Sequence, residues 1–211
     1  METLVIIGAG GHGRVVADCA QQLGTYRKII FLDDCFNESK KSGDWDIIGF
    51  VKDFPQYLTN SDFIVAFGNN HLREKVTNNL KVAKASITSL FHPSATISSN
   101  TLIGKGVVIC ANAAINVGSH IADGCIINTG ATVDHDCKLQ PYVHISPGVN
   151  IAGGVNIDKL SWLGIGSTVI ECLTLAENTQ IGAGAVVTQS TQANSLYLGV
   201  PAKRVRALTN I

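Results

Sequence analysis

The chain has 211 residues, room for one large domain or two small ones. Its 16 basic and 16 acidic residues cancel to a formal net charge of zero, so no polyanion-binding surface is expected and nucleic acid is excluded as a natural partner. With 15% charged residues and 21 glycines the composition is that of an ordered chain rich in tight turns, not a disordered one. No apolar run approaches the roughly 20 residues of a membrane span. The segment Met1-Glu2-Thr3-Leu4-Val5-Ile6-Ile7-Gly8 lacks the basic n-region of a secretion signal, so a cytoplasmic protein is expected. The six cysteines are scattered without a C-x-x-C pair and are expected to be small buried hydrophobes.

Residues 1–88 alternate strand and helix signals. Leu4-Val5-Ile6-Ile7 predicts a buried strand, followed by Gly8-Ala9-Gly10-Gly11-His12-Gly13 and an amphipathic helix to about Leu23. Ile29-Ile30-Phe31-Leu32 predicts a second strand, ending in Asp33-Asp34. Phe63-Ile64-Val65-Ala66 predicts a third, followed by Gly68-Asn69-Asn70 and a helix to about Leu80. This alternation predicts a Rossmann-like α/β domain with a small parallel sheet. Gly8, Gly10 and Gly13 fit G-x-G-x-x-G, with an acidic residue about 20 positions on. Glycines let the backbone approach a phosphate, and the helix N-terminus favours its charge. Asp33 or Asp34 then stands where a ribose or base is bonded. The same fingerprint would suit a nicotinamide cofactor, or serve only to pack helix on strand. But 88 residues supply one mononucleotide-binding half, so a single nucleotide is the better expectation.

Residues 89–211 read differently. From Ile97, steps of six reach Ile103, Ile109, Ile115, Ile121, Ile127, Val133, Leu139, Ile145, Ile151, Ile157, Leu163, Val169, Leu175, Ile181 and Val187. All sixteen positions are aliphatic, a coincidence of order 10⁻⁹ if such residues fill about 0.3 of the chain. Three residues after each aliphatic, Gly dominates (Gly106, Gly118, Gly124, Gly130, Gly148, Gly154, Gly166, Gly184), and Asn112 and Asn178 share that phase. Both residue types tolerate a left-handed backbone. Four residues after it the side chain is small, as at Ala113, Ser119, Cys125, Cys137 and Ser161. Each hexad thus supplies an inward aliphatic, a short strand and a turn. Three hexads close a triangular coil of about 18 residues, and about five coils stack into a parallel β-helix with a C-terminal tail. A solenoid of this kind could serve as a scaffold alone, so function must be argued from its polar residues.

Both halves together resemble the hexapeptide-repeat family of sialic acid O-acetyltransferases and nucleotide-linked 4-amino-4,6-dideoxy-sugar N-acetyltransferases. The resemblance covers essentially the full chain. It rests on Gly8-Ala9-Gly10-Gly11-His12-Gly13, Phe31-Leu32-Asp33-Asp34, Phe67-Gly68-Asn69-Asn70 with Arg73, Val133-Asp134-His135-Asp136-Cys137, Tyr142-Val143-His144-Ile145-Ser146-Pro147-Gly148 and Leu198-Gly199-Val200-Pro201-Ala202-Lys203. It implies left-handed coils, against the usual right-handed crossover preference. It also implies acetyl-CoA as co-substrate, no metal, and a homotrimer with active sites between subunits. The acceptor would be the 4-amino group of a UDP-, dTDP- or GDP-linked sugar destined for bacterial lipopolysaccharide, O-antigen or glycoprotein. O-acetylation of sialic or legionaminic acid is the first alternative. An NAD-dependent oxidoreductase and a non-catalytic nucleotide-binding scaffold are the others. By the resemblance, the nucleotide sugar meets Gly10, Gly11, His12, Gly13, Asp33, Asp34, Gly68 and Asn69. Acetyl-CoA meets His144, Gly153, Gly154, Ile165, Gly166, Gly182, Ala183 and Lys203, with His144 supplied by an adjacent subunit. One departure is that amine-acetylating members usually carry His-Glu where this chain has His135-Asp136.

Acetyl transfer needs a base to take a proton as the nucleophile attacks the thioester. Histidine's ordinary pKa near 6.5 suits His135 to that task. Asp136 occupies the turn phase, where a carboxylate can orient the imidazole and stabilise its cation. One coil beyond His135 stands Gly153, whose missing side chain leaves room for an acyl group. The Gly153-Gly154 N–H groups are candidates to bind the thioester oxygen. His144 lies half a coil from His135 and cannot meet it within one chain. His120, His135 and His144 are not whole coils apart, so no zinc site is expected, and His92 and His120 are read as structural or surface residues. Lys203, beside Arg204 and Arg206, offers charge to the cofactor's phosphates. No cysteine is placed as an acyl carrier, so direct attack is expected.

Overall fold

The structure is a computed structural model that describes residues 2–208. The chain forms two compact units that divide between Pro93 and Ser94.

In the first unit the expected strands appear as β1 (Thr3–Ile7), β2 (Lys28–Leu32) and, further along, β5 (Ser61–Val65). Between the last two run β3 (Lys41–Ser42) and β4 (Trp45–Gly49), and β6 (Ser86–Ile87) follows. The sheet order is β3-β4-β2-β1-β5-β6. Every pairing is parallel except the short β3–β4 hairpin at one edge. Helix α1 (Gly11–Leu23) turns Val16, Ala17, Cys19 and Ala20 inward and ends on Gly24, whose φ of 66° only glycine adopts at little cost. Helix α2 (Asn70–Val82) sets Val76 and Leu80 against Val5, Ile7, Ile30, Leu32, Phe63 and Val65. β1 and β5 are buried along their apolar length because both faces of the sheet are covered, which is why they read as unbroken hydrophobic runs. Between β2 and β5 lies the segment 34–57. It folds as the β3–β4 hairpin between 3₁₀ helices at Asp34–Asn37 and Val51–Tyr57.

The second unit is a left-handed parallel β-helix. Its strands are two residues long and recur every six, from Thr96–Ile97 to Val186–Val187. Each pairs in parallel with the strand 18 residues away: Ala114 with Thr132, His120 with Lys138, Ile126 with His144. The aliphatic column fills the interior. Ile109 through Val187 are at most 3% exposed, whereas Ile97 and Ile103, in the first coil, are half-buried. The turn phase is left-handed at every step from Gly106 to Gly184, with φ between 52° and 75°. Gly and Asn fill most of those steps, but Asp136, Tyr142, Leu160 and Cys172 occupy it too. A side chain in this phase is therefore not in itself a mark of function. The chain closes with Ser195–Leu198 and an antiparallel partner, Lys203–Ala207. Of the cysteines, Cys19, Cys110, Cys125 and Cys137 are buried as expected, but Cys35 is half-buried and Cys172 exposed. Neither belongs to the aliphatic column or to the small-residue phase after the turn: Cys35 lies in the 3₁₀ helix Asp34–Asn37 and Cys172 in a left-handed corner.

Candidate active site

The corner Asp134-His135-Asp136 joins two strands of the β-helix, Thr132–Val133 and Lys138–Leu139. The left-handed φ of 58° at Asp136 turns its carboxylate back on its neighbour, and Oδ2 lies 2.9 Å from His135 Nδ1. Asp134 accepts the His135 backbone N–H at 2.8 Å and the Asn116 Nδ2 from the coil below at 2.6 Å. The hydrogen bond to Asp136, with the charge of Asp134 behind it, holds the His135 imidazole above its ordinary pKa. Asn116 and the His135 amide hold the Asp134 carboxyl below its own. Asp134 was not singled out from the sequence; the Asp-His-Asp run was its only signal.

A Cβ added to Gly153 would fall on His135 Nε2 and Cε1. Gly153 is not among the glycines with positive φ, so its missing side chain serves space and not backbone geometry. With Nδ1 turned to Asp136, the other ring nitrogen, Nε2, lies on the Gly153 side, and the imidazole edge itself takes the space a side chain at Gly153 would fill. The expectation for Gly154 changes: its N–H donates to His135 O at 2.9 Å within the coil ladder. The amides of Gly166 and Gly182 are likewise committed, to Pro147 O and Tyr197 O. Parallel pairing between coils consumes these groups.

The residues expected to meet acetyl-CoA occupy different parts of the triangle. Gly153 and Gly154 lie in the turn column of Asp136, whereas Ile165, Gly166, Gly182 and Ala183 lie in the column of Gly148, and Lys203 on the exposed closing strand. Ile165 is 59% exposed, while Gly182 is covered by the side chain of Leu198. Gly153 and Gly154 adjoin His135 within the chain, whereas Ile165, Gly166, Gly182, Ala183 and Lys203 do not share its column. His144 is not a surface histidine: it is 8% exposed, stacked on Trp162 at 6.2 Å, with Nε2 3.4 Å from Asn128 Nδ2. His120 is exposed, on another face. Among the described residues, no group of three or more His, Cys, Asp or Glu side chains is arranged to hold a metal ion.

In the first unit, Gly13 carries no side chain because a Cβ there would strike the carbonyl of Gly8. A Cβ on Gly10 or Gly11 would meet nothing within 4 Å, and the N-terminus of α1 lies open there. Asp33 has a local task. It accepts from Ala9 N at 2.6 Å and from Cys35 N at 2.8 Å, tying the glycine-rich turn to the end of β2. Burial works against its charge, but these two amides prevail and hold the carboxyl below the usual range. Ser42 from the hairpin donates to the carbonyl of the same Ala9 at 2.5 Å. Asp34 accepts from Val51 N at 3.1 Å, and Asn69 caps α2 through Leu72 N at 2.9 Å. Arg73 is buried and donates to Phe67 O and Asn70 Oδ1, both at 2.8 Å, fixing the loop that carries Gly68 and Asn69. Burial, reinforced by the Arg73 charge, lowers the His12 pKa to about 4, so this side chain is neutral near pH 7.

Comparison with known proteins gives the following. Residues 3–80 match the family of the PglD N-terminal domain. UDP-N-acetylbacillosamine N-acetyltransferase of Bacillus subtilis (strain 168) is 32% identical over 114 residues, 53% of this chain and 52% of that protein. The match thus spans about half the length of that relative. The acetyltransferase domain of PglB from Neisseria gonorrhoeae FA1090, solved in complex with acetyl coenzyme A, is 39% identical. It covers 97% of this chain and 99% of that one, with a TM-score of 0.93. PerB from Caulobacter crescentus, solved in complex with CoA and GDP-perosamine, is 36% identical over 97% of each chain, with a TM-score of 0.89.

Proposed function

The chain belongs to the family of nucleotide-amino-sugar N-acetyltransferases, and on that premise we propose that it moves the acetyl group of acetyl-CoA to the 4-amino group of a nucleotide-linked 4-amino-4,6-dideoxy sugar. The observation that carries this reading is the His135–Asp136 pair, whose imidazole is held by Asp136 at Nδ1 and seated by its Nε2 edge against Gly153 one coil above. The neutral imidazole takes a proton from the amine as its nitrogen attacks the thioester carbonyl. The tetrahedral intermediate collapses with loss of the CoA thiolate, and the imidazolium returns the proton to that sulfur. Asp136 stabilises the imidazolium between the two transfers. Cys137 takes no part; its thiol is buried and bonded to Ala152 O.

On this reading the first unit holds the nucleotide at the open turn Gly10-Gly11, with His12 entering as a neutral hydrogen-bonding group. Asp33 then shapes that turn from behind, because its carboxylate is already occupied by Ala9 and Cys35. The separation of the acetyl-CoA candidates over two turn columns favours a homotrimer, in which a neighbouring copy supplies His144 and the Ile165–Ala183 face. No helix among the described residues is long and apolar enough to cross a membrane. A cytoplasmic enzyme supplying acetylated sugars for bacterial surface glycans completes the proposal.

The test is thiol release from acetyl-CoA against a panel of UDP-, dTDP- and GDP-linked 4-amino sugars and free sialic and legionaminic acids. Release with an amino sugar alone supports the proposal; release with the free acids alone overturns the acceptor. His135→Ala is expected to lower kcat by about 10²–10⁴-fold with little change in either KM, the range of a general base. Full activity in that variant rejects the mechanism.

A further inference from the structure

The two oxygens of the Asp136 carboxylate have different surroundings. Oδ2 meets His135 Nδ1 at 2.9 Å. Oδ1 leans over Gly118, one 18-residue coil below, so that a Cβ added there would fall on Oδ1 and lie 3.4 Å from Cγ. The backbone is fixed at the same place, since Asp136 N donates to Val117 O at 3.0 Å. The carboxylate thus lies between an imidazole on one side and Gly118 on the other, with Oδ1 in the space a side chain at Gly118 would fill. We propose that Gly118 is a positioning residue of the catalytic pair: it gives the Asp136 carboxylate the room to lie flat against His135 Nδ1.

The proposal rests on the reading of His135 as the base, and its reasoning is steric. Any side chain at residue 118 competes for the volume of Oδ1. The group that must yield is the free end of a side chain, not backbone, so the coils need not move. Rotation of the carboxylate carries Oδ2 away from Nδ1. The charged groups facing His135 are then Asp136, displaced, and Asp134, still held by Asn116 Nδ2 at 2.6 Å. The turn recurs elsewhere: Gly124 stands beneath Tyr142, and Gly154 beneath Cys172. Only at Gly118 does the seated side chain belong to the reacting corner.

Gly118 has a φ of 75°, so a substitution there is strained whatever else it does. Gly130 supplies the control. It has a φ of 65° in the same hexad phase, and a Cβ on it would meet nothing within 4 Å. The experiment compares Gly118→Ala, Gly130→Ala, Asp136→Ala and the double variant Gly118→Ala with Asp136→Ala. It measures kcat/KM over pH, and the titration of the His135 imidazole by NMR in free enzyme. Gly118→Ala is expected to lower kcat/KM on the order of ten- to a hundredfold, the cost of losing a group that orients a catalytic side chain. It should also shift the His135 titration downward, and add nothing to either effect once Asp136 is Ala. Gly130→Ala should leave the titration in place. If alanine prevents folding, the Asn variants at both sites replace it, because Asn112 and Asn178 occupy this phase naturally. An unmoved His135 titration in the Gly118 variant overturns the proposal whatever the rate does. A shifted titration with unchanged kcat/KM upholds the positioning role and rejects His135 as the base.

Discussion

At the scale of single residues, the charge states of two histidines carry the argument. His135 is held above its ordinary pKa by Asp136 first and Asp134 second. A base must be neutral, so kcat/KM should rise with pH through an inflection above 6.5 and then level off. Asp136→Asn weakens the acceptor for Nδ1–H, and that inflection is expected to move down while the plateau falls. A profile whose inflection stays put would separate Asp136 from the proton transfer. His12 is the opposite case. Its pKa is lowered to about 4 by burial and the Arg73 charge. Between pH 6.5 and 4 the unfolded chain binds a proton that the folded one refuses, so stability falls as pH drops through that window. His12→Gln should flatten the dependence of the unfolding midpoint on pH there, measured against the parent. The Asp-His-Asp run drew attention to His135 in the sequence. The lowered pKa of His12 comes from burial and from the charge of Arg73, 61 positions away on another helix, and no spacing rule reaches that far.

At the scale of elements, glycines matter through what stands next to them. Gly13 and Gly153 both lack a positive φ, and both are required by close approach: Gly13 by the Gly8 carbonyl, Gly153 by the His135 ring. The consequences of filling them differ. Gly13→Ala pushes α1 off β1 and is expected to destabilise the first unit by about 1–3 kcal/mol, read from the denaturant midpoint. Gly153→Ala meets only a side chain on a mostly exposed corner. It should leave the midpoint nearly unchanged while activity falls at least tenfold, with the His135 ring pushed from its place against Gly153. A large loss of stability in Gly153→Ala would show that Gly153 meets a packing need. The position of Gly153 above His135 was legible from counting eighteen. The commitment of the Gly154 amide to His135 O was not, because it depends on which ladder group the neighbouring coil presents.

For the whole molecule, the β-helix draws its stability from one continuous column. Each inward aliphatic touches the coil above and the coil below, so the unit behaves as coupled nearest neighbours. Ile127, fully buried in mid-column, packs between Ile109 and Ile145. Ile127→Ala is expected to cost about 2–5 kcal/mol, seen as a lower urea midpoint. The proposed trimer is open to sedimentation equilibrium on the same protein: a monomer at all concentrations would remove the basis for assigning His144 to a neighbour's site.

The hexad period determined the β-helix, the length of its coil, the identity of its core and the stacking of Gly153 over His135. A repeat is local information: each step is set by six residues, and the stack follows by arithmetic. The alternation of apolar runs and glycine-rich turns likewise determined β1, β2, β5 and the two helices of the first unit. Tertiary structure decided what has no period. The edge hairpin β3–β4 forms because Ser42 bonds the Ala9 carbonyl 33 residues away and Trp45 packs edge-on against Phe31. The Asp33 carboxylate goes to backbone amides of its own turn, and the Asp136 carboxylate lies over Gly118. Each of these depends on where two chain segments come within a few ångströms, a distance that side-chain volume sets and sequence spacing does not.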